Sequence, residues 1–220
     1  MIKFARLSRL VATIALLSSS LLFAQQQASE ATGIFQGSTD IGTTHKGSTV
    51  YNPTNDEYRL TGSGADLWGA ADQFHFAWVR LTGDVTLTAD VRFPNPSKEP
   101  LRKAVLMVRQ SLAPGSPYAD IAIHGDGHIT LQYRKEADGI TADTTSSQHG
   151  STRLRIERKG KQYTVYAGEP GEELVAMAPI TVNLNDPVYV GIGICPHNAD
   201  GFEQAIFSHV KIEHHAATQK

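Results

Sequence analysis

Two neighbouring runs hold the residues of this chain whose types and spacing could do chemistry. Ala119-Asp-Ile-Ala-Ile-His124 and His128-Ile-Thr-Leu-Gln-Tyr-Arg134 both alternate, and Gly125-Asp-Gly127 between them is a tight-turn signal, so the pair reads as a β-hairpin. Alternation sends Ile121, Ile123, Ile129, Leu131 and Tyr133 to one side and Asp120, His124, His128, Thr130, Gln132 and Arg134 to the other. A carboxylate and an imidazole on one face, Asp120 and His124, are acid–base candidates for cleaving a modified sugar. With His128 they would also offer zinc a carboxylate and two imidazoles, short of the further ligand a tetrahedral site needs. Planar polar groups suit a third kind of chemistry, since Asp120, Gln132, Arg134 and Arg109 can orient sugar hydroxyls without breaking a bond. A solvated sheet face with polar cross-strand pairs explains the same residues with no ligand at all.

Trp68 adds the aromatic component. It stands in Gly62-Ser-Gly-Ala-Asp-Leu-Trp68-Gly, a glycine-rich turn, where its ring can stack on a sugar or wedge beneath the loop. The loop acids Asp66, Asp72, Asp84 and Asp200, with Asn198, are of the type that holds Ca2+, although no EF-hand spacing is present and each also suits a turn bonded to its own backbone. No motif demands any other cofactor. Glycosidases need two carboxyl groups flanking the scissile bond, and no Glu-x-Asp-x-Glu strand occurs here. No Gly-x-Ser-x-Gly elbow occurs either. The sequence therefore leans away from an enzyme.

The elements that must position these residues are strands. Tyr51–Leu60, Phe74–Leu81, Val85–Phe93 and Ala104–Val108 precede the hairpin. Arg153–Arg158 with Gln162–Ala167, Val188–Ile194 and Ala205–Ile212 follow it. Val85, Leu87, Ala89, Val91 and Phe93 share one face, as a half-buried strand requires, and Phe74, Phe76 and Trp78 share another that we assign to the core. Ala104–Val108 is apolar on both faces, the mark of a strand covered twice. The Pro-rich run Phe93–Pro100 cannot join a ladder. With about a dozen short strands and no 3.6-residue period, the expected fold is all-β: a two-sheet antiparallel jelly-roll sandwich.

Lys3, Arg6 and Arg9, the apolar run from Leu10 and the small residue Ala24 make residues 1–24 a cleavable signal peptide, too interrupted for a stable membrane span. Residues 25–31 form a polar tail, 32–213 the sandwich and 214–220 a second tail with the exposed pair His214-His215. Loss of the three basic signal residues takes the formal charge from −2 to −5, so nucleic acid and anionic membranes are poor partners. The expected location is the periplasm or the extracellular space, with no membrane span after cleavage. Cys195 is the sole cysteine, so no internal disulfide forms and the apolar core must stabilise the fold alone.

The stretches Gly62–Gly69 with Asp72–Phe74, Leu81–Asp84, Lys103–Ser111, Tyr118–Gly127, Tyr189–Cys195 and Ala205–Lys211 carry a family likeness. Through them the chain resembles the concanavalin A-like lectin/glucanase (laminin-G-like) superfamily, and more narrowly bacterial secreted domains of the regulation-of-enolase type. Some of those precede TolB-like propellers. The resemblance implies a concanavalin-like sandwich and a superfamily of lectins, carbohydrate-binding modules and sugar hydrolases; it carries over no catalytic residue. The leading expectation is a secreted, non-catalytic module that recognises a glycan or cell-envelope polysaccharide, with Trp68, Arg109, Asp120, His124, Gln132 and Arg134 as binding residues. A glycoside or modified-sugar hydrolase on the same fold, and a structural or protein-interaction module of the envelope, remain open.

Overall fold

The computed structural model describes residues 32–215. The expected signal peptide and the tail at 25–31 lie outside the described residues. Seventeen strands follow in order. The first seven are β1 (Gly37–Ile41), β2 (Ser48–Asn52), β3 (Glu57–Gly64), β4 (Leu67–Trp68), β5 (Ala71–Asp72), β6 (Phe74–Leu81) and β7 (Asp84–Arg92). Next come β8 (Lys103–Arg109), β9 (Tyr118–His124), β10 (His128–Arg134), β11 (Ala142–His149), β12 (Arg153–Lys159) and β13 (Gln162–Gly168). The last are β14 (Val175–Ala176), β15 (Ile180–Thr181), β16 (Val188–Cys195) and β17 (Asn198–His215).

They form two large antiparallel sheets, one in the order β1-β6-β16-β8-β9-β10-β11 and the other β14-β13-β12-β7-β17-β3-β2 with β15 beside β13. Strands β4 and β5 make a separate small hairpin. The two sheets stack into a jelly-roll sandwich of the expected concanavalin-like class. Alternation builds the core between them: Val85, Leu87, Ala89 and Val91 of β7 meet Leu106, Ile121, Leu131 and Ile192 of the opposite layer. Each of the valines, leucines and isoleucines contributes about 1.5–3 kcal/mol on burial, so a one-residue slip of β7 would exchange four apolar groups for polar ones and is excluded.

Phe74 and Phe76 are fully buried, as expected, and Trp78 is half-buried, but the core they join is a second one. Phe74, Phe76 and Trp78 do not face the interlayer core; Ala77 and Val79 of the same strand do. The three rings lie on the outer face of the seven-stranded sheet, in a second cluster with Ile41, Leu67, Met107, Tyr118 and Cys195. The cause is on the neighbouring strand, where Gly191 stands opposite Trp78 and Gly193 opposite Phe76. Val190, Ile192 and Ile194 point inward, and the glycines between them leave room for the rings. A Cβ at Gly193 would lie 2.9 Å from the Phe74 ring.

Three other differences are local. Tyr51–Leu60 is a hairpin rather than one strand, because Pro53 cannot donate to a ladder and Asp56 turns the chain at φ 51°. The edge strand β11 escapes pattern reading because it is polar and mostly exposed, and so needs no apolar alternation. His214 and His215 pair with Val85 and Asp84 in β17 instead of forming a tail, since β7 offers backbone partners that far.

A polar clasp joins the layers at one margin. His75 of β6 places Nδ1 2.6 Å from Asp40 Oδ1 and Nε2 2.9 Å from Thr49 Oγ1 on β2 of the other sheet. The Gly47 N–H donates to Asp40 Oδ1 at 2.9 Å, which fixes the carboxylate.

A Cβ added at Gly191 would stand 1.9 Å from the Ala77 carbonyl oxygen, a backbone atom that cannot step aside. Gly191→Ala is therefore expected to destabilise by about 1–3 kcal/mol or more, measured as a lower urea midpoint with unchanged m-value.

Candidate functional site

The outer face of the seven-stranded sheet is covered by the β4–β5 hairpin, and one buried charge cluster holds that cover down. Leu67 pairs with Asp72 across the hairpin and Gly69 turns the chain at φ 59°, so Leu67 and Asp72 are buried while Trp68 is left half-buried. Arg134 meets Asp72 with two bonds, Nη2 to Oδ1 at 2.7 Å and Nη1 to Oδ2 at 2.9 Å. The same guanidinium donates to the carbonyls of Gly69, Ser116 and Gly139 at 3.0, 3.1 and 2.9 Å, so three loops share one cation. Arg109 approaches Asp72 at 3.4 Å and donates to the carbonyls of Ser111 and Ala113, both at 2.6 Å. Burial raises the Asp72 carboxyl above its ordinary value although both guanidiniums pull it down. Burial also lowers Arg109 to about 10, which leaves it charged at neutral pH.

Beside this cover lies a concavity of about 250 Å³. Its floor comes from four adjacent strands: Lys103 of β8, His124 of β9, Thr130 and Gln132 of β10, and Asp143 of β11. Trp68 and Asp66 of the hairpin loop, with Leu101 and His197, form its rim. Pairing explains the convergence, because Lys103 stands opposite His124 and Gln132 stands opposite both Asp120 and Asp143. Three concavities of about 340–350 Å³ lie elsewhere, but none of them includes a tryptophan or a histidine together with strand-borne hydrogen-bonding groups of both charges. One contains His214 and Lys211 on an otherwise apolar margin. We take the Trp68 concavity as the candidate site.

Its one lysine is matched by one of its two aspartates. Lys103 Nζ lies 2.5 Å from Asp66 Oδ1, and His197 Nδ1 lies 3.5 Å from the same oxygen. His124 shares a proton with Thr130 across 3.1 Å, and burial followed by the charge of Lys103 lowers its imidazole to about 4, so it is neutral at pH 7. Asp120 is fully buried; burial, then the charge of Asp72, pushes its carboxyl well above the ordinary range. Asp143 is exposed and has no ionic partner among the described residues.

The six residues expected to bind separate into two groups. Trp68, His124 and Gln132 line the concavity. Arg109, Arg134 and Asp120 point to the expected face but are completely buried, because the hairpin covers that part of the sheet. Arg109 and Arg134 hold loops and cannot reach a sugar hydroxyl. Asp120 lies beneath the floor, opposite Gln132. Sequence reading passed over Lys103, Asp143, His197 and Leu101. Extending the alternation of β8 by one residue would have put Lys103 on the face of Met107 and Arg109; His197, at φ 58°, has no sequence signal.

The metal readings do not fit. His124 bonds Thr130, and His128 places Nδ1 2.9 Å from Asp126, so the two rings have separate partners. No three His, Cys, Asp or Glu side chains gather as a metal site among the described residues. Of the loop acids suited to Ca2+, Asp66 is engaged by Lys103, Asp72 by two arginines and Asp84 by the Gly160 N–H; the Asp200 carboxylate is exposed, 3.9 Å from His45, and Asn198 caps the Asp200 and Gly201 N–H groups.

No family model and no curated protein matches this chain. Among solved structures it is similar to a functionally unknown protein from Saccharomyces cerevisiae, with 16% identity and a TM-score of 0.57 over 78% of this chain and 97% of that one. A GH43 protein from Bacillus licheniformis, BlXynB, shows 12% identity and a TM-score of 0.52 over 72% of this chain and 33% of that one. GH43B of a Bacteroides ovatus xyloglucan PUL shows 17% identity and a TM-score of 0.51, over 81% and 39% respectively. This chain thus spans between a third and two fifths of those two GH43 proteins. At such identities the shared property is the sandwich fold alone.

Arg134→Met leaves Asp72 buried beside a more distant Arg109, and is expected to lower stability by about 3–5 kcal/mol in urea titration. His124 gives a pH signature. Unfolded, its ring protonates near 6.5; folded, only near 4, so the unfolded chain holds more protons between those values. The stability present above about pH 6.5 therefore falls as pH drops toward 4, by on the order of 2 kcal/mol. In His124→Gln most of that slope should vanish from urea midpoints compared at pH 7 and pH 4.5.

Proposed function

We propose that this chain is an exported sandwich module that binds a glycan at the Trp68 concavity without cleaving it. The observation that carries this reading is the half-buried Trp68 ring beside Lys103, His124, Gln132 and Asp143, an aromatic surface next to converging donors and acceptors. Sugars present an apolar C–H face and a girdle of hydroxyls, and this arrangement offers a partner to both.

The carboxyl groups favour binding over hydrolysis. Asp66 is engaged by Lys103, and Asp120 has no solvent-facing oxygen. Only Asp143 among these three is free to meet a ligand. A glycosidase needs a second carboxyl across the scissile bond, and neither Asp66 nor Asp120 is placed to serve without rearrangement. The narrower likeness to secreted regulation-of-enolase-type domains, and export through residues 1–24, agree with a ligand in the envelope or beyond it. The GH43 and xyloglucan descriptions of two proteins sharing the fold are compatible with a glycan.

The test is retention of the purified protein on a glycan array and in polysaccharide pull-down. Trp68→Ala should weaken the retained glycan about tenfold, since loss of a stacked ring costs about 1.4 kcal/mol. Uniform failure to retain any glycan would refute the binding role. Turnover of the bound glycan that is lost in Asp143→Asn would convert the module into an enzyme.

A further inference from the structure

Beneath the floor of the concavity three oxygen atoms have no hydrogen-bond partner. They are Oδ1 and Oδ2 of Asp120 and Oε1 of Gln132, all buried. The two side chains stand directly opposite each other on β9 and β10, on the same face of the sheet. Gln132 lines the concavity and Asp120 does not.

No neighbouring side-chain donor relieves this arrangement. From β8, Lys103 is engaged by Asp66, and Arg109 by Asp72 and two carbonyls. From β10, Arg134 is held by Asp72 and loop carbonyls. On β9 itself, Tyr118 pairs its hydroxyl with Thr141 and His124 pairs with Thr130. From the hairpin loop, Asp72 and Asp66 bring negative charge only. A buried carboxylate beside an amide oxygen would be a repulsion that the Gln132 backbone N–H and the charges of Lys103 and Arg109 offset only in part, since burial and Asp72 outweigh them. One proton on the carboxyl removes it, because a protonated carboxyl donates and the amide oxygen accepts.

Resting on the glycan reading above, we propose that Asp120 is a proton-bearing positioning residue whose O–H holds Gln132 Oε1, turning the Gln132 amide N–H toward an oxygen of an uncharged sugar. The uncharged class follows from the charges at the rim. Lys103 is already matched by Asp66, and Asp143 adds an unmatched carboxylate, so a uronate or sulfated sugar meets repulsion at that edge. A ring or carbonyl oxygen meets the Gln132 N–H, and hydroxyls meet Asp143. The burial that raises the Asp120 carboxyl acts in the same direction as this geometry.

The test uses the wild-type protein, Asp120→Asn and Asp120→Leu. Asn keeps a donor for Gln132 without a charge; Leu keeps the volume and removes the donor. Infrared difference spectra at pH 7 need no ligand. The wild type should show a protonated-carboxyl C=O band that is missing in Asp120→Asn, and its absence from the wild type would overturn the assigned proton. Binding is then measured against uncharged polysaccharides (xyloglucan, mixed-linkage β-glucan, mannan) and polyuronates (alginate, pectate). Uncharged chains alone should bind, with Asp120→Asn within about twofold of wild type and Asp120→Leu at least about tenfold weaker, at a melting temperature no lower than that of wild type. Equal losses in Asn and Leu, or tighter binding of a polyuronate, would overturn the proposal. If the wild type binds no glycan, the glycan reading and the assigned ligand fall together, while the infrared band still decides the Asp120 proton.

Discussion

The bidentate contact between Arg134 and Asp72 is the constraint on which the outer face depends. It fastens the Trp68 hairpin, the loop after β8 and the loop after β10 to a single point on the sheet. A buried ion pair is a poor source of stability, because desolvating both charges offsets most of their attraction. What it supplies here is position. Arg134 satisfies the Ser116 and Gly139 carbonyls and adds a second donor to those of Pro114 and Gly69, which already accept the Asp72 and Thr141 N–H groups, and its planar fork sets their mutual geometry. Trp68 stands one turn from that anchor, so the rim of the concavity inherits its placement from a residue that never touches solvent.

Against that firm frame, two residues at the floor are thermodynamically awkward, and for one reason. Burial penalises the charged form of each, raising the carboxyl of Asp120 and lowering the imidazole of His124. The signs are opposite. His124 favours the fold above its unfolded value, whereas Asp120 favours it only below the ordinary carboxylate range and works against it as pH rises. A well-packed apolar residue at 120 would carry no such penalty. Residues of this kind are found where a protein trades stability for a site.

Much of the sandwich was legible because alternation and burial are the same fact seen twice. Strand β6 and the paired strands β12 and β13 stand close to where their residues placed them, and Ile121, Ile123, Ile129 and Leu131 occupy the interlayer core. That Phe74 and Phe76 are buried was legible, but that their face is the outer one was not, because large aromatics usually signal the interlayer core. The alternating glycines of Val190-Gly-Ile-Gly-Ile194, set against alternating rings, held the answer, but only once β16 and β6 were known to be neighbours. The site was half legible for a related reason. Period-two reading tells which way Asp120, Gln132 and Arg134 point, yet not that all three are buried and that only Gln132 reaches the concavity. Exposure is a property of the cover, and the cover is joined to the sheet through Asp72, a residue whose sequence neighbourhood reads as an ordinary loop.

Strand β11 gives the concavity an uneven mechanical character. Lys103, His124 and Gln132 sit on strands laddered on both sides, whereas Asp143 sits on a border strand bonded only to β10. A border strand opens without disturbing the packed layers behind it. Three of the four strands under the concavity are thus held on both sides and the fourth on one, so any widening of the cavity would begin at the outermost ribbon.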